Sequence, residues 1–245
     1  MRLQGKTAIV TGASSGIGAA IVRGLQKLGV RVVGGARRLD RIDADVALQL
    51  DVTDPASCER FVAAAAEQLG GIDVLVNNAG LALGRDPFDD STEDDEEAVL
   101  ETNVHGVIRI TRLSLPHLRD GGHIVNLGSV AGMWAYPNGA LYVTSKFAVH
   151  GFTRALREDL LGRPIRITNV APGLVETDFS RVRFRGDEEK ASAVYENVAL
   201  GGPVRPEDVA DCVVFALTRP ANVNVDEIVV TALAQSNGAR VLRED

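Results

Sequence analysis

A chain of 245 residues, 45% of them hydrophobic, can bury a substantial core within one α/β domain. Its net charge of −7 and the absence of a Lys/Arg cluster argue against a nucleic-acid surface. No stretch approaches the roughly 18 apolar residues of a membrane span. The first strand-like run begins too early for a signal peptide to precede it, and Cys58 and Cys212 lie far apart, so a cytoplasmic chain with free thiols is expected.

Apolar strand-like runs alternate with amphipathic helical ones. The alternation predicts a Rossmann-like, doubly wound fold: a mostly parallel seven-stranded sheet with helices on both faces, in a single domain spanning residues 1–245. The first strand, 7–11, runs into Gly12-Ala13-Ser14-Ser15-Gly16-Ile17-Gly18 and then a helix near 16–28. The second, 30–36, ends in Gly35-Ala36-Arg37-Arg38, and Arg37 to Asp45 is too short for a full helix with its turns. The third, 46–50, is followed by Asp51-Val52 and a helix over 55–69; the fourth, 73–77, by Asn78-Ala79-Gly80. The acidic segment from Asp86 to Glu97 reads as a solvated loop feeding a helix, whose dipole favours carboxylates in its first turn.

That next helix, 96–117, carries Asn103 in its interior, an unfavourable place for asparagine. A strand over 122–127 leads to Ser129 and a loop holding Trp134 and Tyr136, and a helix over 140–160 follows. The sixth strand, 165–170, precedes Pro172-Gly173-Leu174-Val175-Glu176-Thr177. The segment 179–203 lacks clear periodicity, is polar, and carries Arg181, Arg183 and Arg185 at the carboxyl end of a strand, where such sheets bind ligands. A helix over 206–217 and a strand over 225–230 complete the pattern. None of His105, His117, His123 and His150 has metal-ligand spacing, so no metal is expected.

Two groupings carry chemistry. Tyr142 and Lys146, four apart on a helix, share one face, and an ammonium near a phenol lowers its pKa toward that of a working acid/base, as carbonyl reduction by hydride requires. Strand, glycine turn and helix together make a dinucleotide site, with helix N–H groups and a positive dipole end for the pyrophosphate. The spacing is G-x-x-x-G-x-G rather than G-x-G-x-x-G. Arginine at the end of the second strand receives a 2′-phosphate, so Arg37 and Arg38 point to NADP(H).

With Ser129 added, the chain resembles the short-chain dehydrogenase/reductase family from about Lys6 to about Val230. The motifs are Thr11-Gly12-x-x-x-Gly16-Ile17-Gly18, Asp51-Val52, Asn77-Asn78-Ala79-Gly80, Asn103, Ser129, Tyr142-x-x-x-Lys146 and Pro172-Gly173, in the family's order. The resemblance implies that Tyr142 exchanges the proton, Lys146 lowers its pKa and holds the nicotinamide ribose, Ser129 binds the substrate oxygen, and Asn103 holds a water linked to Lys146. It also implies adenine contacts from Asp51 and Val52, ribose contacts from Asn78, Ala79 and Gly80, and carboxamide contacts from Pro172, Gly173, Val175 and Thr177. The cofactor's phosphates would then rest on Gly12, Ser14, Ser15, Gly16, Ile17 and Gly18. Ala36 replaces the aspartate usual in NAD-preferring relatives, while Ser15 stands where some NADP-preferring ones add a base.

The segment 179–203 becomes a mobile lid. Trp134 and Tyr136 are expected to wall the substrate pocket, and Arg183 or Arg185 to meet a substrate carboxylate. The C-terminal segment, Asn222 to Gln235, resembles the NADP-dependent serine and 3-hydroxy acid dehydrogenase branch, which implies a small carbonyl or secondary-alcohol substrate. A 3-oxoacyl thioester (acyl-carrier-protein) reductase and a non-catalytic NADP sensor are the alternatives. The family implies a homotetramer, or a dimer, built through the helices 96–117 and 140–160.

Overall fold

The computed structural model describes residues 2–244. Seven parallel strands form one sheet: β1 (Thr7–Thr11), β2 (Arg31–Ala36), β3 (Val46–Gln49), β4 (Ile72–Asn77), β5 (Leu118–Leu127), β6 (Arg166–Pro172) and β7 (Glu227–Val230). Their order across the sheet is β3-β2-β1-β4-β5-β6-β7. The helices are α1 (Gly16–Lys27), α2 (Pro55–Leu69), α3 (Glu93–Leu100), α4 (Gly106–Ser114), α5 (Ala140–Asp159), α6 (Phe179–Arg183), α7 (Glu188–Ala193) and α8 (Pro206–Thr218). The doubly wound α/β fold expected from the alternation is the one found. Between β2 and β3 only a single 3₁₀ turn, Leu39–Arg41, fits.

Period-two alternation in the central strands sorts side chains onto two cores. Ala8, Val10, Val74, Val76 and Val125 face α1 and α8, where Ile21, Leu25, Val209, Val213 and Leu217 close the layer. Ile9, Leu75 and Ile124 face the opposite side, against Phe61, Ile110 and Leu156 of α2, α4 and α5. Strands buried on both faces are continuous apolar runs, as β1 and β4 are.

The helix expected over 96–117 differs in detail. It begins earlier, at Glu93, with the Thr92 side chain accepting a bond from the Asp95 N–H and four acidic residues in the first turn. It is then interrupted by a π turn, Glu101–His105, before α4 continues. β5 likewise starts at Leu118 rather than at residue 122, across an irregular register with β4. Among the described residues no helix is long and apolar enough to cross a membrane.

Candidate active site

A cleft of about 670 Å³ opens along the carboxyl ends of the strands and straddles the point where strand order reverses, between β1 and β4. The two halves are stitched there. Asn78 N–H and Ala79 N–H each donate to Thr11 Oγ1 at 3.0 Å, and Asn78 Nδ2 donates to Thr11 O at 2.9 Å and Gly12 O at 3.2 Å. The approach is so close that a Cβ on Gly12, which also has φ +67°, would lie 2.8 Å from Asn78 Nδ2. Gly18 does not line the cleft. Its missing Cβ lets α1 pack on the turn, since one would lie 2.2 Å from Gly12 O.

Gly12, Ser14, Ser15, Gly16 and Ile17 line the β1 half, with the first turn of α1 free of acidic residues. A phosphate group fits this N-terminus of unpaired N–H groups and undisturbed dipole. Arg37 and Arg38 stand exposed at the end of β2, and Arg38 Nη2 reaches back to Ser15 Oγ at 3.1 Å and Ser14 Oγ at 3.4 Å. Arg41, one 3₁₀ turn on, also lines the cleft. The sequence reading missed it, although its three-residue offset from Arg38 at a strand end was available. Asp51 and Val52 border the same half, Asp51 Oδ1 accepting from the Thr53 N–H at 3.0 Å and hydroxyl at 2.7 Å. Asn78, Ala79 and Gly80 form the floor.

On the other half, Ser129 follows β5 and is buried; its Oγ accepts from the Ala131 N–H at 3.1 Å and donates to Pro172 O at 3.3 Å. Tyr142, half-buried in the first turn of α5, meets the Phe179 ring of the lid edge-on at 5.5 Å. Lys146 is buried one turn further, with Nζ donating to Leu127 O at 2.8 Å and lying 5.7 Å from the Tyr142 ring centroid. Burial pulls the Lys146 ammonium down to about 8. For Tyr142, burial and then Tyr136 push the phenol above its ordinary value, against a Ser129 hydrogen bond and the Arg183 charge. The expected lowering of this pKa by Lys146 is therefore corrected for the protein's own groups. Removal of the phenolate from water dominates, and Lys146, whose Nζ is bonded to a backbone carbonyl, is not among the groups acting on it.

Asn103 sits fully buried in the π turn, beneath the cleft rather than on its wall. Its Oδ1 accepts from the Leu81 N–H at 2.8 Å, and its Nδ2 donates to Leu81 O at 2.7 Å and Ser145 Oγ at 3.0 Å. Ser145 in turn donates to Tyr142 O at 2.8 Å. Pro172, at the end of β6, and Gly173, Val175 and Thr177 beyond it line the cleft. Gln235, which the sequence reading overlooked, is buried beside them with Oε1 accepting from the Leu174 N–H at 2.7 Å.

The segment 179–203, expected to be a lid, contains α6 and α7. Arg183 lines the cleft: Nε donates to Gly84 O at 3.0 Å, Nη2 to the Tyr136 hydroxyl at 3.2 Å, and Gly84 N–H returns a bond to Arg183 O at 2.9 Å. Tyr136 lines it too. Arg185 does not, because its guanidinium turns away to bind both oxygens of Asp95 at 2.6 and 2.7 Å. Trp134 is 43% exposed and also lies off the cleft, leaving Tyr136 as the aromatic wall from that loop.

The family model described as short chain dehydrogenase matches residues 6–188. The chain is 40% identical to the NADP-dependent 3-hydroxy acid dehydrogenase of Schizosaccharomyces pombe over 258 residues, covering 99% of this chain and 98% of that one. It is 41% identical to the NADP-dependent 3-hydroxy acid dehydrogenase YdfG of Salmonella typhi, over 93% of this chain and 95% of the other. Among solved structures, the closed form of a serine dehydrogenase complexed with NADP+ is similar at a TM-score of 0.90 and 37% identity, covering 98% and 100% of the two chains. A short chain dehydrogenase from Burkholderia cenocepacia in complex with NADP gives a TM-score of 0.82 at 35% identity, covering 94% and 98%.

Proposed function

The chain belongs to the short chain dehydrogenase family, and on that footing we propose that it interconverts small 3-hydroxy acids and their carbonyl forms. It is an NADP-dependent oxidoreductase acting on CH–OH groups. The observation that carries the reading is the grouping of Ser129, Tyr142 and Lys146 on one wall of a cleft whose other end presents Arg37, Arg38 and Arg41.

When bound, NADP⁺ supplies the acceptor for the hydride that leaves the carbinol carbon, and NADPH the donor in reverse. Tyr142 takes the hydroxyl proton as the C–H electron pair departs, so that C=O forms, and returns it in reduction. Ser129 Oγ, fixed between β5 and Pro172, is placed to hydrogen-bond the reacting oxygen as its charge changes. Lys146 keeps a cation beneath the Tyr142 ring. Arg37, Arg38 and Arg41 offer guanidinium forks suited to a 2′-phosphate dianion. Of the residues expected from the sequence to contact cofactor and substrate, all but Gly18, Trp134 and Arg185 line the cleft.

One domain spanning residues 1–245 is supported by the single sheet on which both halves of the cleft rest. Assembly as a homotetramer or dimer is supported by the 46% exposed Phe147 on α5, and a cytoplasmic setting by two unpaired thiols. With a panel of 3-hydroxy acids the protein is expected to reduce NADP⁺ in preference to NAD⁺. Tyr142→Phe is expected to lower kcat by about 10²–10⁴-fold while NADPH titration shows unchanged affinity. Full turnover by that variant would overturn the assignment.

A further inference from the structure

We propose that Arg183 anchors the substrate carboxylate and so selects 3-hydroxy acids over neutral secondary alcohols, an assignment that rests on the functional reading above. The first lid helix and the residues just beyond it carry three arginines, and two are already paired. Arg181 lies 2.8 Å from Glu188 and 3.8 Å from Asp178, and Arg185 is bound to Asp95. Among the described residues Arg183 has no acidic partner. Its bonds go to two uncharged acceptors, Gly84 O and the Tyr136 hydroxyl, which orient the fork and leave its charge uncompensated.

The placement suits an anion at the reacting end of the cleft. The Arg183 guanidinium carbon is 5.7 Å from the Tyr136 ring centroid and 5.8 Å from that of Tyr142. In a 3-hydroxy acid one carbon separates the carbinol carbon from the carboxylate. By standard bond lengths, carbinol and carboxylate oxygens then lie on the order of 4 Å apart, so a carboxylate held by Arg183 keeps the carbinol in the neighbourhood of Tyr142. A carboxylate accepts two parallel bonds from such a fork in a half-buried site, where screening by salt is weak. Arg85 also lines the cleft, with its guanidinium carbon 5.8 Å from the Tyr136 ring centroid, and serves as the comparison cation.

The test is steady-state oxidation of 3-hydroxybutyrate and of 2-butanol at saturating NADP⁺ by wild type, Arg183→Met, Arg183→Lys and Arg85→Met, each followed across pH because the Arg183 charge also acts on the Tyr142 phenol. NADPH titration establishes that each variant is folded. Arg183→Met is expected to raise KM for the acid about 10–100-fold, the loss of one charge-assisted pair. At each pH its kcat/KM for 2-butanol should fall by a far smaller factor than that for the acid. Arg183→Lys should recover part of the affinity for the acid, and Arg85→Met should keep the preference. A proportional loss on both substrates with Arg183→Met, or loss of preference with Arg85→Met alone, overturns the assignment while the substrate reading stands. A wild type that turns over 2-butanol as well as the acid overturns both.

Discussion

A buried ammonium bonded to one carbonyl costs folding free energy, and Lys146 is placed that way beside Tyr142. With its folded pKa near 8 and the unfolded value near 10.5, the penalty is complete below pH 8 and fades as pH rises between the two values. Lys146→Met is therefore expected to abolish most turnover and yet match or exceed wild-type stability at pH 7, with the advantage shrinking toward pH 10.5. Urea midpoints measured across that range check the sign. The i,i+4 pairing itself was legible in the sequence. The direction of the phenol's shift was not, because the Phe179 ring packed on Tyr142 comes from a segment far along the chain and the charge of Tyr136 acts through the folded loop. Ser15 likewise read as a missing base, yet Arg38 extends back to it from the next strand. Trp134 and Arg185 show the converse limit, since local position near the site did not reveal which way either side chain turns.

Among the elements, the broken helix α3–α4 shows what periodicity misses. A π turn adds a residue without disturbing the apolar face enough to register in a hydrophobic pattern, so the run read as one helix. The polar interruption was nonetheless visible as an asparagine where helices disfavour it. Asn103 holds both backbone groups of Leu81 and touches Ser145, whose hydroxyl caps back onto the Tyr142 carbonyl. Asn103→Ala leaves those buried groups unpaired, which costs about 2 kcal/mol. A Tm lowered by roughly 4–8 °C is expected by calorimetry, together with reduced kcat, since the turn that carries Tyr142 loses its support. An unchanged melting temperature would show that Leu81 finds other partners.

For the molecule as a whole, the sheet was readable because its central strands are buried on both faces and so stand out as apolar runs. What holds its amino-terminal edge was not readable. Asp73 gathers Lys6 Nζ at 2.8 Å, the Thr7 N–H and hydroxyl at 3.0 Å each, and Arg119 at 2.9 Å, joining β1, β4 and β5. Burial pushes its carboxyl pKa up, but the bonds from Lys6 and Thr7 outweigh that and leave it below the ordinary range. A depressed folded pKa gives stability that is present above the unfolded value near 4 and lost as pH falls through the folded one. Asp73→Asn should cost about 2 kcal/mol at neutral pH, and the gap from wild type should close in urea titrations repeated in acid.

The seam of Thr11 with Asn78 and Ala79 has an evolutionary corollary. Under the proposed function, one half of the molecule would meet the coenzyme's distinguishing phosphate while the other manages the proton, with Thr11, Asn78 and Ala79 between them. Exchange of the arginine-bearing bend after β2 can thus convert dinucleotide preference, and exchange of lid residues can convert substrate range, each without retuning the other.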